Sequence, residues 1–443
     1  MKSPIISALV TFHAEGRIAS DTLQGMERLR RHAERHNFEV EFVVVLDCAN
    51  LETIATVKSC SDLRNTDQVV EVVNRDLGAS RNSGIQIARG NYIGIFDGDD
   101  FYSENWLTEA LKLAQASDDK LIIHPELQIS FGGIHCVARL PDMQLDPSYP
   151  LQNCLAVHPW TSCSFASRSI YESSPYCRSD TSETGFGFED WHWNLETMAK
   201  GAIHTCAYGT ALFYRRKNTS MLTEMVASGA IIRPSLFFDQ PNQWGPVKSS
   251  NTIHEIAPTM RSDEELLPDW TLCSFLQIAK IEPQLLPTLE LFSKFVAYDA
   301  PLNLEPGELY AKIHERICGF QPHEFWLLSY PPSIGALKKI YQDIEIAQSR
   351  GRKILIIVTD PYDSPPVCEL PRDVVLIEFG NISKVYTEEQ KGMVLIRLML
   401  QSSANEIFLI NSFLAQNVVN RHFKSIIAIG KKIFICEYKC DQA

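Results

Sequence analysis

Asp97-Gly98-Asp99-Asp100 places three carboxylates within four residues. Like charges packed so closely are unfavourable unless a cation or strong donors neutralise them. Hard divalent ions such as Mg2+ and Mn2+ take oxygen ligands and commonly bridge to substrate phosphates. A metal held there could stabilise the charge of a departing diphosphate. A solvated acidic turn is the plain alternative, since Asp and Gly are ordinary turn formers. A second acidic position, Asp47, closes an apolar run. A third, Glu189-Asp190, follows Gly185-Phe186-Gly187-Phe188 and leads into Trp191. A carboxylate there could deprotonate an attacking hydroxyl, or could only complement a helix N-terminus.

The elements that must position these groups alternate between strand and helix patterns, the signature of a parallel α/β sheet. Residues 5–11 are an apolar run, and Leu23, Met26, Leu29 and Ala33 recur at helical spacing. Residues 40–46 read as a buried strand stopping at Asp47, and 69–73 as another. Residues 79–89 read as a helix closed by Gly90, and 92–96 as a strand stopping at Asp97. Trp106, Ala110, Leu111 and Ala114 mark a further amphipathic helix. In such a sheet the ligand crevice lies at the carboxyl ends of the strands, where Asp47 and Asp97 both fall.

Upstream of the acidic cluster stands Asn74-Arg75-Asp76-Leu77-Gly78-Ala79-Ser80-Arg81-Asn82-Ser83-Gly84. With Asp47 before it and a strand into Asp97 after it, this order resembles the family 2 glycosyltransferases of the GT-A fold. The resemblance covers residues 3–115 and extends to about 220. It implies an α/β GT-A nucleotide-diphospho-sugar transferase domain. Its activity would be inverting and metal-dependent, moving a sugar from a nucleotide donor, a UDP-sugar foremost, to a hydroxyl of a glycan or polysaccharide precursor. By the same resemblance Thr11, Glu15, Asp47, Arg81, Asp97 and Arg216 would bind the donor. Asp47 would meet the base, Arg81 the base or phosphates, and Asp97 the ribose side. Asp99 would ligate Mn2+ or Mg2+. Asp190 would be the catalytic base, with Glu189 orienting an acceptor hydroxyl. Arg81 and Asn82 could equally serve only to cap or brace their helix.

The match departs from the family in two places. Relatives often carry two adjacent Asp at the second strand, whereas this sequence reads Leu46-Asp47-Cys48, leaving UDP, dTDP and GDP open. In Tyr214-Arg215-Arg216-Lys217-Asn218-Thr219-Ser220, Lys217 stands where some relatives have a metal-binding His. Either cations replace that ligand in neutralising phosphate, or the stretch is ordinary basic surface. His158, Trp160, Trp191 and Trp193 are acceptor-side candidates, because sugars pack their C–H faces on aromatic rings. Buried core is the competing role for each. His204 is expected to be structural.

Farther along, residues 125–150 look like mixed strands and turns. Residues 234–258, rich in Pro, Asn, Gln and Ser, read as the end of the first domain. Residues 266–300 read as helical, with Pro283 and Pro287 as breaks. A second α/β pattern begins near Phe325, with strands at 325–329, 353–359, 374–379, 407–410 and 433–436. Its helices run through Ile334, Leu337, Ile340 and Ile344, and through Met393, Ile396 and Leu400. The expected division is a GT-A domain at 1–245, a linker and helical segment at 246–322, and a Rossmann-like domain at 323–443. The last resembles the N-terminal half of a family 4 (GT-B) glycosyltransferase. Only one glycine remains in Ser329-Tyr330-Pro331-Pro332-Ser333-Ile334-Gly335, too few for an open phosphate loop. This domain is therefore expected to be an inactive module for acceptor binding or assembly, with a piece of a longer bifunctional enzyme as the other reading of the chain.

Bulk properties set the outer limits. At 443 residues two or three domains are expected. A net charge of −13 argues against nucleic-acid binding. Twelve scattered cysteines without a CxxC pair suit neither a disulfide framework nor a zinc site. Residues 1–10 lack a signal peptide's basic region, and no run approaches the roughly 20 apolar residues of a membrane span. A cytoplasmic location follows, with peripheral membrane association, homo-oligomerisation or binding to other glycan-assembly enzymes left open. Two other functions compete: a non-catalytic sugar-nucleotide or glycan-binding scaffold, and a nucleotidyltransferase. The latter gives Asp190 no task.

Overall fold

The computed structural model describes residues 5–117, 120–217, 220–244, 269–291, 298–299, 302–329, 334–363 and 371–436. Four parallel strands form the frame of the first sheet: β1 (Ile6–Phe12), β2 (Val40–Asp47), β3 (Gln68–Val72) and β4 (Tyr92–Asp97), ordered β3-β2-β1-β4. β1 and β2 are buried along their whole length, as largely apolar strands are when helices cover both faces. In the helix Ile18–Arg35, Leu23, Met26, Leu29 and Ala33 all lie in the core, completing the expected stripe. Register brings Thr11 of β1 opposite Asp97 of β4, so the carboxyl ends of these strands finish together.

Beyond β4 the sheet becomes mixed. It adds β5 (Phe101–Tyr102), β6 (Leu121–Gly132), β7 (Cys136–Arg139), β8 (Ser164–Ser167), β9 (Ile203–Arg216) and β10 (Tyr298–Asp299). β8 runs antiparallel to β4 and β6, whereas β9 runs parallel to β6. Residues 125–150 are the mixed strands and turns expected of them: β6 continues through Pro125, β7 follows, and turns run on to 150. The register of β6 with β9 shifts between Pro125 and Leu127. A bulge is where a strand tolerates a residue that cannot donate to the ladder.

The stretch before the second sheet is not a tether. Phe275 of the helix Asp269–Ile278 packs edge-on against Phe213 of β9 with ring centroids 4.9 Å apart. Pro283 and Pro287 begin short helical turns instead of ending a helix, since a proline in the first turn forfeits no needed N–H. The helix Glu305–Ile317, which the sequence reading missed, buries Leu309, Tyr310 and Ile313 in a core that continues into the second sheet. Its Tyr310 hydroxyl donates to the Phe238 carbonyl at 2.9 Å.

The second sheet is wholly parallel. Its strands are β11 (Glu324–Leu328), β12 (Ile354–Val358), β13 (Val374–Ile377), β14 (Glu406–Ile410) and β15 (Lys432–Cys436), ordered β13-β12-β11-β14-β15. The helices Ile334–Ser349, Glu388–Gln401 and Phe413–Ala428 connect them; the last was not expected from sequence. Residues 330–333 of the expected loop lie outside the described residues. Arg397, fully buried, donates to the carbonyls of Arg233 at 3.1 Å and Ile232 at 3.2 Å, and lies over the Phe238 ring. Gln401 exchanges hydrogen bonds with the Ser235 backbone at 2.9 and 3.0 Å.

Candidate active site

At the carboxyl end of the first sheet the backbone turns sharply after Asp97. A Cβ on Gly98 would lie 2.6 Å from the Phe12 ring and 2.7 Å from the Thr11 carbonyl oxygen, so only glycine lets this turn approach β1. Thr11 is buried beside it, and Glu15 follows in the next turn with its carboxylate accepting the His13 N–H at 2.5 Å. Burial raises the Glu15 carboxyl, with Asp99 adding to that effect and Lys217 opposing it.

Asp47 ends β2 and accepts the backbone N–H groups of Asn74 at 2.8 Å, Arg75 at 3.0 Å and Asp76 at 3.2 Å. Burial pushes this carboxyl up, but the donors of Arg75, Ser80, Asn74 and Asp76 outweigh it and leave the group lowered. Most of its four acceptor directions are therefore used to shape the loop after β3. Asp76 then caps the helix Leu77–Ile87 through the Ala79 N–H and reaches the N–H groups of Ser179 and Asp180.

Arg81 is fully buried, donating to Asp97 at 2.9 Å and to Glu189 at 2.8 Å, so it braces two carboxylates, while its Nε is left without a partner. Asn82 is likewise occupied, exchanging hydrogen bonds with the Tyr176 backbone. The second Asp97 oxygen accepts the Ser162 hydroxyl, a partner that no motif or spacing signals.

Glu189 and Asp190 open the helix Glu189–Ala199 from Phe188, whose φ of +57° is left-handed. A bulky residue in that region signals strain held by its surroundings. Glu189 is buried on Arg81, not presented to an acceptor, and burial followed by the charge of Asp190 raises its carboxyl to about 7 despite Arg81. Asp190 is partly exposed. One oxygen accepts its neighbour Trp191's N–H at 2.8 Å, and the other lies 3.8 Å from His158 Nδ1. His158 also bonds Asn194 at 2.8 Å and stacks on Trp191, and burial lowers its pKa, with Asp190 opposing. His158, Trp191 and Asp190 therefore form one half-buried wall.

Trp160 and Trp193 are not part of that wall. Trp160 is in the core, stacked on His204 at 4.1 Å with its indole N–H donated to the Pro141 carbonyl; Trp193 is stacked between Tyr171 and Tyr176. Neither has a free face for a sugar. His204 sits in the same stack, hydrogen-bonded to His124 at 2.9 Å, and burial, then the neighbouring His124, holds it well below the usual histidine range.

The mouth is closed by the end of β9. Arg215 is buried: its backbone N–H donates to Asp100, its Nε to the Asp99 carbonyl, and its guanidinium pairs with Glu282. Burial, then Asp99 and Asp97, raises the Asp100 carboxyl well above the usual range. Arg216 and Lys217 remain at the surface of a cleft of about 410 Å3 that also includes Tyr214 and Ser220. The Lys217 ammonium sits 2.6 Å from Asp99 Oδ2. A divalent ion fits poorly there, because it would have to share one carboxylate with a cation already on it. Among the described residues no three His, Cys, Asp or Glu side chains gather as a metal-binding group.

Fold and site together define a GT-A-like α/β domain, with acidic strand ends facing an acidic helix start. Residues 7–134 match the family described as "Glycosyl transferase family 2". The succinoglycan biosynthesis protein ExoO of Rhizobium meliloti (strain 1021) is 29% identical over 164 residues, 35% of this chain and 46% of its own length. The putative glycosyltransferase EpsH of Bacillus subtilis (strain 168) is 26% identical over 122 residues, 28% of this chain and 34% of its own. The chain thus spans less than half the length of these curated relatives. Similar solved structures include S. aureus TarS 1-349 in complex with UDP-GlcNAc, with TM-score 0.40 and 13% identity over 79% of this chain and 92% of that one. Another is the Pyrobaculum calidifontis mannosyltransferase PcManGT with GDP-Man and Mn2+, with TM-score 0.39 and 15% identity over 79% and 81%. The ten described cysteines are free thiols. Among the described residues no helix is long and apolar enough to cross a membrane.

Proposed function

We propose that this protein transfers a sugar, with inversion, from a nucleoside-diphosphate donor to a hydroxyl of a glycan or polysaccharide precursor. The observation that carries this reading is Arg81, which ties Asp97 at the donor-side strand end to Glu189 and so sets Asp190 across the crevice. Asp190 takes the acceptor hydroxyl's proton as that oxygen attacks the anomeric carbon. Asp97 and Thr11 line the ribose side, Glu15 and Arg216 flank the diphosphate, and Asp47 shapes the loop that receives the base. Trp191 and His158 line the acceptor side. Residues 1–245 hold this machinery, and 323–443 form a module that supports acceptor binding or assembly. The name of the succinoglycan biosynthesis relative favours polysaccharide biosynthesis, and UDP-sugars are the first donors to try.

The test is release of nucleoside diphosphate from a panel of UDP-, GDP- and dTDP-sugars, with and without glycan acceptors. Asp190→Asn should lower kcat by about 10²–10⁴-fold while nucleotide affinity stays within about twofold. Full transfer by that variant would remove Asp190 from its role. Tight nucleotide binding without turnover would favour a scaffold, and pyrophosphate release a nucleotidyltransferase.

A further inference from the structure

At the mouth of the crevice, the last residues of β9 carry two cations outward and one inward. Arg215, the inward one, is pinned by Asp100, the Asp99 carbonyl and Glu282, so the strand end has a fixed register. That register delivers Lys217 to Asp99, with Nζ 2.6 Å from Oδ2, and places Arg216 on the same cleft. Asp97 already has Arg81 as counter-ion, and Asp100 is buried. Asp99 is thus the strand-end carboxylate whose charge is met at the surface, and Lys217 meets it. Both side chains of this pair are partly exposed, at 36% and 23%, so the ammonium can turn from Asp99 to an arriving anion.

We infer that Lys217, supported by Arg216, takes the place of a divalent cation in this crevice and neutralises the diphosphate leaving group directly. The inference rests on the transferase reading of the same site and specifies its electrostatics. In the step, the anomeric C–O bond to the β-phosphate breaks and its electron pair stays on the phosphate oxygen. The acceptor oxygen forms the new C–O bond, and its proton passes to Asp190. The negative charge gathering on the diphosphate is met by two cations, Arg216 at the end of β9 and Lys217 just beyond it, which perform the electrostatic task otherwise given to a metal. Asp99 then acts as the rest position of the Lys217 ammonium.

The experiment compares the full chain in EDTA and in Mn2+ or Mg2+, following nucleoside diphosphate release and, separately, UDP and GDP binding by calorimetry. The wild type is expected to turn over and bind in EDTA within about threefold of its values with metal. Lys217→Ala should lose about 10²–10³-fold in turnover under both conditions, and should bind nucleoside diphosphate more weakly. Lys217→Arg should keep most of both and guards against a folding defect in the alanine variant. Lys217→His, which places a metal ligand beside Asp99, should gain turnover with Mn2+ that EDTA removes. Wild-type turnover lost in EDTA and restored by Mn2+ would overturn the inference while leaving the transferase reading intact. An unchanged Lys217→Ala would overturn it as well. Absence of turnover with every donor under both conditions would instead sink the transferase reading, and the inference with it.

Discussion

The two sides of the crevice are held by different means. On the side proposed for the donor, Thr11, Asp47 and Asp97 lie at the ends of adjacent parallel strands whose register is fixed along their length. On the side proposed for the acceptor, Glu189 and Asp190 follow a strained turn whose shape depends on residues far along the chain. Gly187 packs against Met225, and Gly185 against Ser425 and Lys424 of the second sheet's helix Phe413–Ala428. Lys424 also donates to the Ser182 carbonyl at 2.7 Å. A sheet edge is rigid because every strand is bonded to its neighbours. The acid–base helix is instead as well placed as the docking of a second domain allows.

Arg81 joins the two sides, and removing it should have the largest effect. Arg81→Met leaves the buried Glu189 and the half-buried Asp97 without their shared cation. Breaking a buried pair in this way costs about 3–5 kcal/mol, read as a lower chemical-denaturation midpoint. If the midpoint moved by less than a third of that, the two sides would be held independently and the comparison would fail.

Glu189 gives the next effect, through pH. Its carboxyl is raised to about 7 in the fold, against about 4.3 for an ordinary glutamate. Between those values the folded protein binds more protons than the unfolded chain, so stability falls as pH rises from about 4.3 to 7, and this contribution is flat above. The span amounts to roughly 4 kcal/mol. Glu189→Gln cannot ionise and should flatten the fall, measured as urea midpoints from pH 4.5 to 8. A wild-type slope retained by the variant would place the titration on another group.

The same contrast explains what the sequence disclosed. Asp47, Asp97 and the stripe of Leu23, Met26, Leu29 and Ala33 were legible because strand ends and helix faces are local patterns. Arg81 and Glu189 each stood out by residue type in separate motifs, but nothing in the sequence signalled their contact, which spans 108 positions. Trp160 shows the opposite limit: an aromatic beside polar residues reads alike whether it lines a cleft or fills a core. Ser162 and the helix Glu305–Ile317 were invisible for a related reason, since their roles exist only once distant segments pack.

The smallest effect is the sharpest test of the second domain's hold. Gly185 has φ +68°, and a Cβ there would lie 2.7 Å from the Ser425 hydroxyl oxygen. Gly201, just beyond the other end of the same acid–base helix, has φ +83° with nothing within 4 Å of the same added atom. Alanine at either position carries the left-handed backbone penalty of about 1–2 kcal/mol. Only Gly185→Ala also presses on the second domain. Gly185→Ala should therefore lower acceptor-dependent kcat by about tenfold, since small misplacements of a reacting group are costly. Nucleotide binding and acceptor-free donor hydrolysis should change little. Gly201→Ala should show the stability loss without that split. Equal kinetics for the two variants would mean that the acid–base helix holds its place without the second domain.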